Sequence, residues 1–200
     1  NRVGAGRRSA DLGEVLVPLL QEAGAGAATG QRAAAYRYAL FVTAAQLSGK
    51  NVALLVPAIQ RRPRPLTLTL HGRHDLAQHF AISAALAAWA GEPLANTVGL
   101  DKEVDDARGG SGFSFADLAA DRAGTRFGEL AVRQPARLAA ALAGGLGSEA
   151  IMPATDGLPE PMQTDEFRRR FGRVGSAAYQ QVADDIEQRI AALARFSPAP

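Results

Sequence analysis

The sequence predicts a mainly α fold: a single-domain helical bundle with a long irregular strap and a Gly/Pro-rich arm. Three observations carry this. Most of the chain falls into apolar-periodic segments with capping residues at their starts and glycines at their ends. Only Leu66–Leu70, alternating leucine and threonine, has a strand-like period. The 200 residues are 47% hydrophobic and 21% charged, ordinary values for a globular domain long enough to bury a core without disulfides.

Asn1–Arg8 is polar and glycine-containing, and is expected to fray. Asp11 is placed to cap a helix through about Ala23, with Pro18 inside it as a kink point. Gly24–Gly30 is a small-residue break. Thr29 or Gly30 then opens a helix through Ser48, stopped by Gly49, with Ala34, Tyr38, Phe41 and Ala45 at helical spacing. Asn51–Ile59 is an apolar run of undecided type, and Arg61–Pro65 is a Pro/Arg linker that cannot be helical. Leu66–Leu70 has no evident partner strand and is expected to be an extended packing segment or local ribbon.

Helical segments follow with tight connections. Asp75–Ala90 ends at Gly91, and Pro93–Ala107 carries its proline in the first turn. Gly109–Phe113 is expected to be an exposed, mobile loop from which Phe113 or Phe115 packs back on the helices. Ser114–Arg133 starts with Ser114 three residues before Asp117, close to a capping box. Pro135–Ala143 is a short helix, which closes the core of about 9–143. Gly144–Gln163 reads as a surface loop or arm. Thr164 caps the last helical region, Asp165–Phe196, with a bend at Gly172–Gly175.

Composition excludes several classes. Twenty-two basic and 20 acidic residues give a net charge of +2, too small for a nucleic-acid partner. No stretch reaches the roughly 18–20 apolar residues of a transmembrane span. There is no cysteine, so disulfides, thiolate metal sites and a cysteine nucleophile are all excluded. Lys50 and Lys102 are the only lysines, the arginine bias expected of a GC-rich genome. The chain begins at Asn1 rather than Met, so removal of an upstream segment, a signal peptide or a tag, is expected.

Polar residues concentrate between His71 and Arg126. His71, His74 and His79 are the three histidines of the chain. Asp75, His79 and Ser83 recur at i, i+4, i+8 and share one helix face. Glu103 and Asp106 are i, i+3 on the next helix, and Asp117 and Asp121 are i, i+4 on the third. Short loops make these helices antiparallel neighbours, so the faces can converge on His79, Glu103, Asp106, Asp117 and Asp121. Such a set offers three chemistries. It can hold a divalent metal, with oxygen-rich sets suiting magnesium, calcium or manganese better than zinc. Crowded carboxyls can supply a general acid. Asp75 could orient His79 as a base.

Plainer readings exist for each residue. Asp117 falls in the first helical turn, where a carboxylate also serves the helix dipole. Glu103 can pair with Lys102 or Arg108 on a solvated face, and Asp121 with Arg126. His79 can be a hydrogen-bonded core histidine and Ser83 a small packing residue, while His71 and His74 flank a helix start. A buried ion-pair network would need the same residues without catalysis.

The residues His79-Phe80, Gly99-Leu100, Lys102-Glu103, Asp106, Ser114, Asp117-Leu118, Ala120-Asp121 and Gly124 form a pattern across 74–128. It resembles the YfiM-like family of bacterial envelope lipoproteins and, more distantly, the VanZ-like membrane family. The chain departs from these in lacking membrane-spanning hydrophobicity and in its long N- and C-terminal helical regions. The resemblance implies an exported, periplasmic or outer-envelope protein and carries no established reaction.

The resulting expectation is a cell-envelope protein that binds or hydrolyses an envelope glycan or lipid-linked ligand. Glu103, Asp106 and His79 are the candidate catalytic residues. Asp117, Asp121, Lys102, Ser111 and Ser114 are the candidate binding residues, with a divalent metal as the candidate cofactor. The alternative is a non-catalytic envelope scaffold whose polar cluster is structural.

Overall fold

The structure is a computed structural model that describes residues 8–49, 66–91, 95–99, 102–103 and 112–193. Among these residues the fold is mainly helical, with two three-residue strands. β1 (Ser9–Asp11) pairs in parallel with β2 (Thr67–Thr69), Ala10 opposite Leu68. The Leu/Thr alternation therefore does mark a strand with a partner. That partner is a tripeptide read only as the approach to a helix cap, and three residues carry too little period to announce themselves.

Asp11 ends β1 and caps α1 (Leu12–Gly26), its Oδ1 accepting the Gly13 N–H at 2.8 Å. Pro18 lies inside this helix, which runs three residues past its expected end. A 3-10 turn at Thr29–Gln31 leads into α2 (Arg32–Leu47). The helix is where the spacing places it, but its buried face is a different one. Tyr36, Leu40, Thr43, Ala44 and Leu47 are buried, whereas Tyr38 and Phe41 are exposed. Alanine-rich helices present small apolar residues on several faces, so periodicity alone does not choose the inner one.

α3 (His74–Ala90) stops at Gly91, whose φ of 88° is open to glycine and strained for other residues. Residues 95–99 and 102–103 are helical, and the remainder of the expected Pro93–Ala107 helix lies outside the described residues. α4 (Phe115–Arg133) is capped by Ser114, whose Oγ accepts the Asp117 N–H at 3.0 Å. α5 (Pro135–Ala143) has the expected bounds, with proline in its first turn. α6 (Thr164–Phe171) and α7 (Ala177–Ala191) are separate helices. Gly172 and Gly175, at φ 72° and 80°, break the chain between them, and Ser176 caps the second.

α3 and α4 form the closest helix pair. A Cβ on Gly124 would collide with the carbonyl oxygen of Phe80, and one on Gly128 with that of Ala84. The two glycines, one turn apart, let the backbones approach and place the polar stripes of both helices against one another.

The 144–163 stretch is irregular apart from a 3-10 turn at Ser148–Ala150, but it is not merely a surface arm. Ile151, Met152, Leu158 and Met162 are buried in the common core. Phe113 and Met162 exchange backbone hydrogen bonds of 2.7 and 2.9 Å. Phe113 and Phe115 pack in one aromatic group with Phe167, Phe171 and Tyr179. Phe113 thus anchors the end of the segment expected to be mobile, and 109–111 lie outside the described residues. No helix among the described residues is long and apolar enough to cross a membrane.

Candidate functional site

The α3 and α4 stripes meet the helical residues 95–99 and 102–103 over a cavity of about 790 Å³. His79, Ser83, Asp117, Asp121 and Lys102 line it, joined by Arg73, Asp75 and Glu160 at its rim. His79 lies at the centre. Its Nδ1 is 3.1 Å from Asp121 Oδ2 and 3.7 Å from Glu103 Oε1, and its Nε2 is 3.8 Å from Asp117 Oδ2. Lys102 Nζ approaches the same Nε2 to 3.2 Å. With Asp121 a pure acceptor at Nδ1 and Lys102 a donor at Nε2, these partners assign the neutral ring's proton to Nδ1.

The two carboxylates facing Nδ1 are held from behind. Ser83 Oγ donates to Asp121 Oδ1 at 2.7 Å, and the Ser114 N–H donates to Glu103 Oε2 at 3.0 Å. Gly99 passes so close to Asp121 that a Cβ there would stand 2.8 Å from Oδ2. Two carboxylate oxygens, Glu103 Oε1 and Asp117 Oδ1, are buried without a hydrogen-bond partner. A fully paired structural network would leave neither.

Electrostatics follow from burial. Glu103, at 0% exposure, is pushed up to about 7 by loss of solvent, against the pull of the Ser114 N–H and of His79. Asp117 is raised by burial in the same way, with His79 and Arg73 opposing. Burial works against a charge on His79, but the hydrogen bond and charge of Asp121, then the charge of Asp117, outweigh it and hold the imidazole above its ordinary value. Groups tuned away from their solution values in a cleft are the usual mark of a working site, although ion-pair networks produce the same shifts.

The structure brings together His79, Glu103, Asp117, Asp121, Lys102 and Ser114 from the sequence candidates. Asp106 and Ser111 lie outside the described residues. Three roles change. Glu103 is fully buried and does not line the cavity, whereas His79, Asp117 and Asp121 do. Asp75 does not orient His79; it pairs with Arg73 at 2.6 Å, and Asp121 on α4 takes the orienting position. Ser83 is a hydrogen-bond donor to the site rather than a packing residue.

Sequence reasoning missed Arg73 and Glu160. Arg73 bonds Glu160 and Asp75 and stands 3.7 Å from Asp117 Oδ1, while Ser114 Oγ donates to Glu160 Oε2 at 2.7 Å. A lone glutamate between two prolines carries no local signal, and only packing of the 144–163 stretch brings it here. Among the described residues His79, Glu103 and Asp121 form a group able to offer one ligand atom each to a metal, all within 4.8 Å of one another. Comparison with family models, curated proteins and solved structures gives no match to this chain.

Proposed function

We infer that the protein binds a sugar-bearing or lipid-linked ligand of the bacterial envelope in this cleft and hydrolyses it there. The observation that carries the reading is the cavity of about 790 Å³ that opens on a buried imidazole bordered by carboxylates. Its walls hold both signs of charge, Arg73 and Lys102 against Asp75, Asp117 and Glu160, which suits a hydroxyl-rich head group more than a simple ion. Asp117 lines the cavity with Oδ2 3.8 Å from His79 Nε2, a carboxylate placed to accept from a water or a sugar hydroxyl. Tyr38, Phe41, Trp89 and Val98 are the exposed large apolar side chains of the described residues, and Val98 lines the cavity. Val98 supplies an apolar wall for a lipid portion, and Tyr38, Phe41 and Trp89 pack together as a further exposed apolar group. The envelope setting rests on the resemblance of residues 74–128.

The test is a panel of cell-wall glycan fragments and polyprenyl-linked sugars, scored by thermal shift and by mass spectrometry of products. At least one member raises the melting temperature of the parent and is cleaved, and Asp117→Asn abolishes cleavage. A panel with no stabilising or cleaved member overturns the reading.

A scaffold reading is favoured by one observation: Arg73 ties Asp75 and Glu160, and Glu160 in turn holds Ser114, a chain of ionic and hydrogen-bonded contacts across the rim. It predicts that Asp117→Asn changes melting alone.

A further inference from the structure

Glu103 and Asp121 share an arrangement that proton chemistry does not require. Each is buried, and each has one oxygen fixed by a protein donor, Ser114 N–H or Ser83 Oγ. In both, the other oxygen is turned toward His79 Nδ1, at 3.1 Å for Asp121 Oδ2 and 3.7 Å for Glu103 Oε1. Glu103 Oε1, in a fully buried side chain, has no hydrogen-bond partner. Enclosing an unpaired carboxylate oxygen is unfavourable unless something meets it. Metal–ligand bonds of about 2.0–2.2 Å set neighbouring donors about 3.0–3.5 Å apart around a tetrahedral or octahedral ion. Two of the three separations, 3.1 and 3.7 Å, are already near that spacing and all three donors lie within 4.8 Å of one another, while the hydrogen-bond donors behind the carboxylates are the outer shell that orients metal ligands.

We propose that His79 Nδ1, Glu103 Oε1 and Asp121 Oδ2 bind a divalent transition cation, Mn²⁺ or Zn²⁺, at the floor of the cleft. An imidazole nitrogen favours these ions over Mg²⁺ and Ca²⁺, and the two carboxylates suit Mn²⁺ most directly. The cation takes the place of the Nδ1 proton that now faces Asp121. His79 and Asp121 line the cavity, which gives the ion a path in and leaves its remaining positions to water or ligand. Lys102 Nζ stands 3.2 Å from His79 Nε2, on the side of the ring away from the Nδ1 donor set. A part for this ion in hydrolysis rests on the function inferred above; its binding does not.

The test uses the whole chain, stripped with a chelator, titrated with MnCl₂ and with ZnCl₂ by calorimetry and Mn²⁺ paramagnetic resonance, with no organic ligand present. One equivalent binds and raises the melting temperature. His79→Ala and Asp121→Asn lose that site. Ser83→Ala, which touches only the outer oxygen of Asp121, folds and binds about 10- to 100-fold more weakly. Should the ligand variants fail to fold, Ser83→Ala decides. No saturable binding to the parent, or binding of unchanged strength in Ser83→Ala and in whichever ligand variants fold, overturns the proposal. Metal binding with no envelope ligand found leaves the ion in place and removes the proposed function; ligand cleavage by the stripped protein keeps that function and removes only the ion's part in it, the titration alone deciding whether the ion binds.

Discussion

His79 Nδ1 and Asp121 Oδ2 lie 3.1 Å apart although 42 residues separate them in the chain. The contact spans the α3–α4 crossing. It exists because Phe80, beside His79, and Ala84, beside Ser83, rest their carbonyls on Gly124 and Gly128, one and two turns beyond Asp121. A helix seam built on missing side chains sets the distance between the polar groups beside it.

Gly124→Ala therefore disturbs both packing and site. The added methyl meets backbone, which cannot step aside as a side chain could, so the helices separate or the fold loses about 1–3 kcal/mol. Gly26→Ala is the control: it ends α1, and a Cβ there has no neighbour within 4 Å. It changes stability by less than about 1 kcal/mol. Urea denaturation of both variants separates the two outcomes, and equal losses would contradict the seam.

Glu103→Gln removes a buried charge and keeps an amide oxygen for the Ser114 N–H. The metal-free variant is expected to be as stable as the parent or about 1 kcal/mol more so, because an unpaired carboxylate oxygen is no longer enclosed. Its stabilisation by Mn²⁺ is lost. A large drop in the melting temperature of the metal-free variant would show that Glu103 is a structural partner.

Asp75 gives a pH dependence of known sign. Burial pushes its carboxyl up, but the hydrogen bonds and charge of Arg73 outweigh this and hold it below its ordinary value. A folded value below the unfolded one stabilises the protein above the unfolded value of about 3.9, and the benefit disappears as pH falls through the folded value. Asp75→Asn should then be less stable than the parent near neutrality and converge with it in strong acid. The pair is partly exposed, so the gap is small. Denaturation midpoints across pH check this, and a gap that widens in acid would refute it.

Arg73 and Glu160 join the α3 start to the 144–163 stretch. Glu160→Gln weakens that tie and frees Ser114 Oγ from a charged acceptor. Hydrogen exchange of amides in 153–162 should rise while α3 and α4 stay protected, because Met152, Leu158 and Met162 still hold the stretch by packing. Unchanged exchange would mean that packing alone holds it.

Trp89 is the one tryptophan and is 50% exposed, edge-on to Tyr38 and Phe41, with the Arg37 guanidinium over its ring. Its emission should move to shorter wavelength when a lipid-linked sugar binds and stay in place with the free sugar. An identical response to both would remove the apolar side chains from the ligand site.

The helices and the polar stripes on them are legible in the chain alone. Asp11, Ser114, Gly91, Gly172 and Pro135 act through hydrogen bonds and φ angles within a few residues, so their effects can be read locally. His79 with Ser83, and Asp117 with Asp121, share faces by helix geometry alone. Tertiary structure decided which stripe meets which and which face is buried. It gave Asp75 to Arg73 and His79 to Asp121, enclosed Glu103, and turned the Tyr38 and Phe41 side of α2 to solvent. It also joined Ser9–Asp11 to Thr67–Thr69 and carried Glu160 to the cleft from a stretch with no pattern of its own. These pairings link residues far apart in the chain. They are chosen by the fit of whole surfaces and by the cost of burying unpaired charge, and no short window of sequence contains either.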